Sequence, residues 1–307
     1  MKKRRSVLFA LLCLIAGLFC ACGKADDTSN ISSNTTITEA PSSDERGDEQ
    51  MNLETTSTPT PTITPEPTAT PSPVPTELPT ATPVPEDNGI WENNADISWI
   101  DPAKPMIAFT FDDGPVGTTD TATSIRIQNA LAASGQHATF FYWGHSLNKG
   151  TEAEIKRAYD MGFEIGNHTS THQDLSKLTS DKIVTEVTTQ AEKLSSITGL
   201  EHFLIRPPYL SANTTVKLTV HEPLINCSID SKDWAGATAE DIINTISTQK
   251  KDGAIVLMHE TYESTATAVE TLVPQLVAEG WQIVSVSELF KVKGQNLLDG
   301  QVYNNAR

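Results

Sequence analysis

The chain has 307 residues, 38% of them hydrophobic, which is enough for one or two packed domains. Its formal net charge is −17, from 22 basic and 39 acidic side chains, and this excludes a nucleic-acid partner, because phosphate binding needs clustered Lys and Arg. Three of the four cysteines fall within the first 22 residues, which excludes a domain built on disulfides.

Met1 to Ala21 reads as a secretion signal. Lys2, Lys3, Arg4 and Arg5 form a basic head, and Val7 to Phe19 is an almost unbroken apolar run. That run is too short for a permanent membrane span. It ends in Phe19-Cys20-Ala21-Cys22-Gly23, where a small residue precedes Cys22 and a polar stretch follows. This resembles a bacterial lipobox, which implies lipidation of Cys22 and a membrane anchor; an ordinary cleaved signal is the alternative. Without the signal the charge moves to about −21, because four cationic side chains leave. Cys227 is then the one unmodified cysteine, and its apolar surroundings (Leu224 to Ile229) mark it as a buried strand residue rather than a nucleophile.

Residues 22–88 show neither helical nor strand periodicity and read as a disordered Ser/Thr/Pro-rich linker. Ten prolines between Pro59 and Pro85 alternate with Thr, Ser and Glu, a pattern that favours polyproline II. At about 3.1 Å per residue the stretch would span roughly 80 Å. An anchor followed by such a spacer places a domain outside the cytoplasm, facing the cell wall.

From residue 89 to 290 the pattern becomes α/β. Strands are expected at Pro105–Phe111, His137–Trp143, Phe163–Gly166, His202–Arg206, Leu224–Ile229, Ala254–Met258 and Trp281–Val286. Helices are expected at Thr121–Ala133, Glu152–Met161, Asp181–Thr198, Ala239–Thr248 and Thr265–Glu279. Strands alternating with helices imply a parallel sheet. Seven strands suit a small or incomplete (β/α) barrel, with an open doubly wound sheet as the alternative. Residues 291–307 read as a polar, peripheral tail.

In a barrel of this kind the reactive groups lie at the C-terminal ends of the strands, and every unusual polar cluster falls there. The first strand ends in Asp112-Asp113-Gly114-Pro115, and the third runs into His168-Thr169-Ser170-Thr171-His172. The fourth ends in Arg206-Pro207-Pro208-Tyr209, the fifth in Asp230-Ser231-Lys232-Asp233-Trp234, and the sixth in Leu257-Met258-His259-Glu260. Each cluster alone is weak: Asp-Asp-Gly-Pro is a common turn, and His259 could be a core histidine. His168 and His172, at i and i+4, would share one helical face and could chelate a metal.

Together with Thr110 and Phe111, these clusters resemble the five motifs of the polysaccharide deacetylases (carbohydrate esterase family 4, the NodB-homology domain), in that family's order, over about Lys104 to Phe290. The resemblance implies a distorted (β/α) barrel with about seven parallel strands and metal-dependent hydrolysis of acetyl groups on a polysaccharide. Asp113, His168 and His172 would hold a divalent metal, most naturally zinc, with cobalt, nickel or iron as alternatives. Asp112 would be the general base, oriented by Arg206. His259 would be the general acid, kept charged by Asp233 or Asp230. The main-chain N–H of Tyr209 would join in stabilising the oxyanion, and Trp234 and Leu257 would wall the acetyl pocket.

Three residues depart from the family pattern. Gln173 is expected to loosen its loop, Leu210 stands where glycine is usual, and Glu260 stands where aspartate is common. None removes a catalytic group. The substrate expected is an N-acetylated polysaccharide, with peptidoglycan N-acetylglucosamine first and chitin oligomers or acetyl-xylan as alternatives. The protein is expected to be a monomer. A lipoprotein that binds glycan without turnover is the reading from a different class, and intact Asp112 and His259 speak against it.

Overall fold

A computed structural model describes residues 91–307 apart from Lys149. The signal-like segment, Cys22 and the Pro/Thr-rich linker lie outside the described residues. The elements in chain order are β1 (Met106–Asp112), α1 (Thr123–Ala133), β2 (Thr139–Tyr142), α2 (Glu152–Asp160), β3 (Glu164–Asn167), α3 (Ser180–Thr198), α4 (Thr214–Thr219), β4 (Leu224–Ile225), β5 (Ile229–Asp230), α5 (Ala239–Gln249), β6 (Ala254–His259), α6 (Glu263–Ala278), β7 (Gln282–Val284), α7 (Val286–Val292) and β8 (Val302–Tyr303).

The strand pairs are parallel, and β1 is the central strand. All seven of its residues are buried, which is why its sequence reads as a continuous apolar run rather than an alternating one. One edge pairs with β6 along nearly its whole length, from Ile107 opposite Ala254 to Asp112 opposite His259. The other edge is shared. Met106–Ala108 pair with β7, and Thr110–Asp112 pair with β2. This division of one edge between two strands is the distortion of the barrel.

From β2 the arc continues to β3, then through single bridges of Ile205 to Asn167 and Leu224. From β1 in the other direction it runs through β6 to β5. The ends of the arc, β4 and β5, are separated only by Asn226-Cys227-Ser228. The core fills with Phe109, Phe111, Phe140 and Ile127 on one side, and with Met106, Phe141, Ile255 and Phe290 on the other.

The expected helices all form, with ends shifted by at most two residues. Local signals explain their limits. Thr238 and Asp241 make a reciprocal capping box at the start of α5, and α3 stops at Gly199, whose φ of 77° suits the left-handed C-terminal position.

Three expectations need correction. The fourth strand, His202–Arg206, is reduced to the bridges of Ile205. The fifth is broken at Asn226–Ser228, so Cys227 lies in the break rather than in a strand. The tail from Lys291 to Arg307 is not peripheral. Its β8 pairs with β4, Leu297 and Ala306 are buried, and Asn305 bridges to Ala254. A few apolar contacts and a strand pairing suffice to fold a polar segment back onto the body.

Candidate active site

The sheet register puts Asp112 and His259 side by side at the C-terminal end of adjacent strands. Immediately beyond Asp112 the backbone turns, with φ of 70° at Asp113. A continuing strand would send these two carboxylates to opposite faces; the left-handed turn brings both to one site.

The same device recurs. Among the described residues, the non-glycine residues with positive φ are Asp113, Thr169, His172, Tyr209, Leu210 and Lys232, and all six lie in the strand-end loops that carry the polar clusters. Such conformations each cost of order 1 kcal/mol or more and are concentrated where function needs them. Leu210, with φ of 56°, occupies a geometry that glycine adopts freely.

Asp113, His168 and His172 converge. Asp113 Oδ1 lies 3.5 Å from His168 Nε2 and 3.4 Å from His172 Nε2, and one ligand atom from each residue lies within 4.8 Å of the others. His168 and His172 do not share a helical face, as their spacing suggested; they sit on an irregular loop. His168 Nδ1 donates to the carbonyl of Arg206 at 2.6 Å, which fixes the tautomer and leaves Nε2 as the free lone pair. Burial, with the neighbouring His168, holds the His172 imidazole below its usual value, so it is neutral and able to ligate. Asp113 Oδ1 is buried without a hydrogen-bond partner. A buried acceptor facing two imidazole nitrogens, with no donor between them, fits a divalent cation.

The loop is held from behind by Glu186 on α3, which accepts from the main-chain N–H of Thr171 at 2.8 Å. Gln173 donates to the Thr171 hydroxyl at 2.8 Å, so it ties the loop down rather than loosening it. Glu186 was not legible as a functional residue; a carboxylate on the buried face of a helix was its only signal.

Arg206 is fully buried. Its guanidinium donates to Asp112 Oδ1 at 2.8 Å, Thr110 Oγ1 at 2.6 Å, and the carbonyls of Ile225 and Asn226, both at 3.2 Å. It also lies over the ring of Phe141, 4.3 Å from the centroid. The second of these carbonyls, that of Asn226, lies in the break between β4 and β5. Asp112 Oδ2 is left facing the metal-ligand side, 3.8 Å from His168 Nε2.

His259 pairs with Asp233, not Asp230. Its Nδ1 lies 2.8 Å from Asp233 Oδ1, and its main-chain N–H donates to Asp233 Oδ2 at 2.6 Å. Thr265 Oγ1 and the Trp234 N–H also donate to this carboxylate. Asp230 instead accepts from Lys232, at 2.7 Å from its ammonium. Burial alone would favour the neutral His259 ring. The hydrogen bond to Asp233 and the charges of Asp112, Asp233 and Asp113 override it and push the imidazole up to about 9.

In metal-free protein His259 should therefore titrate near pH 9 by NMR, and Asp233→Asn should lower the midpoint. An unmoved midpoint in that variant would remove Asp233 as the cause. Because the folded value is raised, the pair's stabilisation is full below about pH 6.5 and is lost as pH rises through about 9.

The remaining candidates border the site. Tyr209 and Trp234 are 68% and 52% exposed, whereas Leu257 is buried two residues before His259 on the same face of β6. Glu260 is fully buried beneath the Asp112–Gly114 turn, and its N–H donates to the Asp112 carbonyl at 3.2 Å. A Cβ on Gly114 would stand 1.4 Å from the Glu260 carboxyl, so any side chain there would have to displace Glu260. Burial pushes Glu260 up to about 8. Cys227 is half-buried, and burial raises its thiol to about 11, which keeps it protonated and unreactive.

The polysaccharide deacetylase family model matches residues 100–223. A peptidoglycan-N-acetylglucosamine deacetylase of Bacillus cereus is 31% identical over 206 residues, which span 64% of this chain and 94% of that protein. The chain belongs to the polysaccharide deacetylase family. The structure of the T48 deacetylase with substrate is 32% identical, with a TM-score of 0.62, over 67% of this chain and 100% of that one. A family 4 acetyl xylan esterase from Clostridium thermocellum, in complex with a cobalt ion, is 28% identical with a TM-score of 0.60, over 65% and 98%. The chain spans roughly a third to two fifths of the first curated relatives that it matches, whose other parts have no counterpart in the alignment. The deacetylase domain is thus the shared unit, and the observed parallel α/β barrel is the family's fold.

Proposed function

We propose that this deacetylase hydrolyses the N-acetyl group of N-acetylglucosamine in peptidoglycan and releases acetate, using a divalent cation held by Asp113, His168 and His172. The observation that carries the reading is the register pair Asp112 and His259, a carboxylate and an imidazolium on adjacent strands with the three ligands beside them. Zinc suits this mixed nitrogen and oxygen set. When bound, the cation supplies Lewis acidity, which makes water easier to deprotonate and polarises the amide carbonyl.

The protein's own groups carry the protons. Asp112, anchored through Oδ1 by Arg206, takes the proton of the attacking water at Oδ2. His259, held through Nδ1 by Asp233, gives a proton from Nε2 to the departing amine. The main-chain N–H of Tyr209 helps to stabilise the charge that develops on the carbonyl oxygen. Leu257 and Trp234 bound the space for the acetyl methyl.

Peptidoglycan is favoured by the Bacillus cereus relative, which this chain covers almost completely. The similar acetyl xylan esterase supports a second reading, ester cleavage on xylan. Lipidation of Cys22 and display toward the cell wall as a monomer belong to the same proposal and rest on sequence alone.

Acetate release from peptidoglycan, chitin oligomers and acetyl-xylan, with and without chelator, tests the whole. Chelator-sensitive release, highest from peptidoglycan, is expected. No release from any of the three would overturn the enzymatic reading.

A further inference from the structure

The buried residues of α3 are Ile183, Glu186, Gln190, Leu194 and Thr198, three or four apart, so a carboxylate and an amide occupy a stripe that packing alone would fill with apolar groups. Both reach toward the segment that carries His168 and His172. Glu186 Oε2 accepts from the main-chain N–H of Thr171 at 2.8 Å, and Oε1 accepts from the Thr171 hydroxyl at 2.5 Å and from the Gln173 amide at 3.3 Å. The Glu186 carbonyl accepts from the Ser170 N–H at 3.0 Å. Gln190 donates at 2.8 Å to the Tyr142 carbonyl, which also receives the His168 N–H. A buried carboxylate is costly unless donors satisfy it, and the donors of Glu186 come from the ligand loop.

That loop holds two left-handed residues, Thr169 with φ of 69° and His172 with φ of 57°. Such backbone persists only where the surroundings over-determine it. Thr169 is secured by Asn167, whose Oδ1 accepts its N–H at 2.8 Å while Nδ2 donates to the Val187 carbonyl of α3. The two imidazoles are aimed by different means. His168 has a hydrogen bond of its own, from Nδ1 to the Arg206 carbonyl. Among the described residues the His172 ring has no such bond; it meets the rings of Trp143, His168 and Tyr209 and the carboxylate of Asp113. Its aim therefore comes through its backbone, and the residue before it, Thr171, is the one that Glu186 grips by both N–H and hydroxyl.

We propose that Glu186 is a positioning residue for the metal centre: through Thr171 it holds His172 in its ligating conformation and so raises the affinity for a divalent cation. The inference rests on the metal-dependent deacetylase reading and deepens it. Helix α3, which contributes no ligand, then sets how tightly the cation is held.

The test measures the zinc dissociation constant of the full-length protein by competition with a chromophoric chelator, beside Glu186→Ala, Glu186→Gln and Thr171→Val, all well below their melting temperatures. Glu186→Ala should bind zinc about 10- to 100-fold more weakly, the usual effect of removing a group that orients a ligand. Glu186→Gln keeps an oxygen for the Thr171 N–H and should recover most of that loss. Saturating zinc should restore acetate release by Glu186→Ala, with KM for an N-acetylglucosamine oligomer unchanged. An unaltered zinc constant in Glu186→Ala, even with a lower melting temperature, would overturn the inference and leave the deacetylase reading intact. Should Glu186→Ala fail to fold, Thr171→Val decides, because its side chain is exposed: weaker zinc binding supports the clamp, and an unaltered constant overturns it. If the unsubstituted protein binds no zinc, the metal reading and this inference fall together.

Discussion

Asp112→Asn is expected to bind its metal normally and to release acetate about 10²- to 10⁴-fold more slowly, the usual contribution of a positioned general base. The substitution keeps the side chain's shape, and none of the three converging ligand atoms belongs to Asp112. An amide cannot take the water proton, however. It also leaves Arg206, which is fully buried, without the carboxylate of Asp112 as its partner. Removing one member of a buried pair is costly, of order 3–5 kcal/mol when nothing replaces it. The Asn oxygen can still accept from Arg206, so the stability loss should fall below that range. Initial rates, metal content and thermal melting together check the expectation. A variant that turns over at the unsubstituted rate would refute Asp112 as the base.

The second large effect is expected at the metal ligands. His168→Ala should lose both metal and activity, by about 10³-fold or more, because transition-state charge stabilisation by a metal is worth several kcal/mol. His168 is the most informative of the three because its orientation is independently fixed by the Arg206 carbonyl. Chelator should reduce the unsubstituted protein to the same level and lower its melting temperature, since a cation that binds only the folded state stabilises it. Added zinc should restore the unsubstituted protein and leave His168→Ala inactive. Retention of full metal content by His168→Ala, read by atomic spectroscopy, would remove it from the ligand set.

The fold was legible wherever burial is symmetrical. β1 and β6 are covered on both faces and so announce themselves as apolar runs. The segment around Ile205 and the break at Asn226–Ser228 were not: Ile205 makes only single bridges, and in the break the Asn226 carbonyl accepts from Arg206, a contact between residues about 20 apart in sequence. The helix α7 was hidden for a different reason. Its capping box, Ser285 with Glu288, follows β7 so closely that the apolar residues of both read as one strand.

The site divides in the same way. Asp112, Asp113, His168, His172, Arg206 and His259 are marked by residue type and position. Glu186, Thr265 and Glu260 act through distant partners or through burial, which spacing does not encode. Nor could spacing show that Asp233 rather than Asp230 holds His259; the neighbouring Lys232 decides this by engaging Asp230.

The register of Asp112 opposite His259 works as a ruler. Their backbones are held at the spacing of paired strands, about 4.8 Å, and no loop movement can alter it. The glycan, in contrast, is met by loops that can change without disturbing that sheet. The pair that moves the protons therefore belongs to the rigid half of the molecule, and the surface that meets the glycan to the adaptable half.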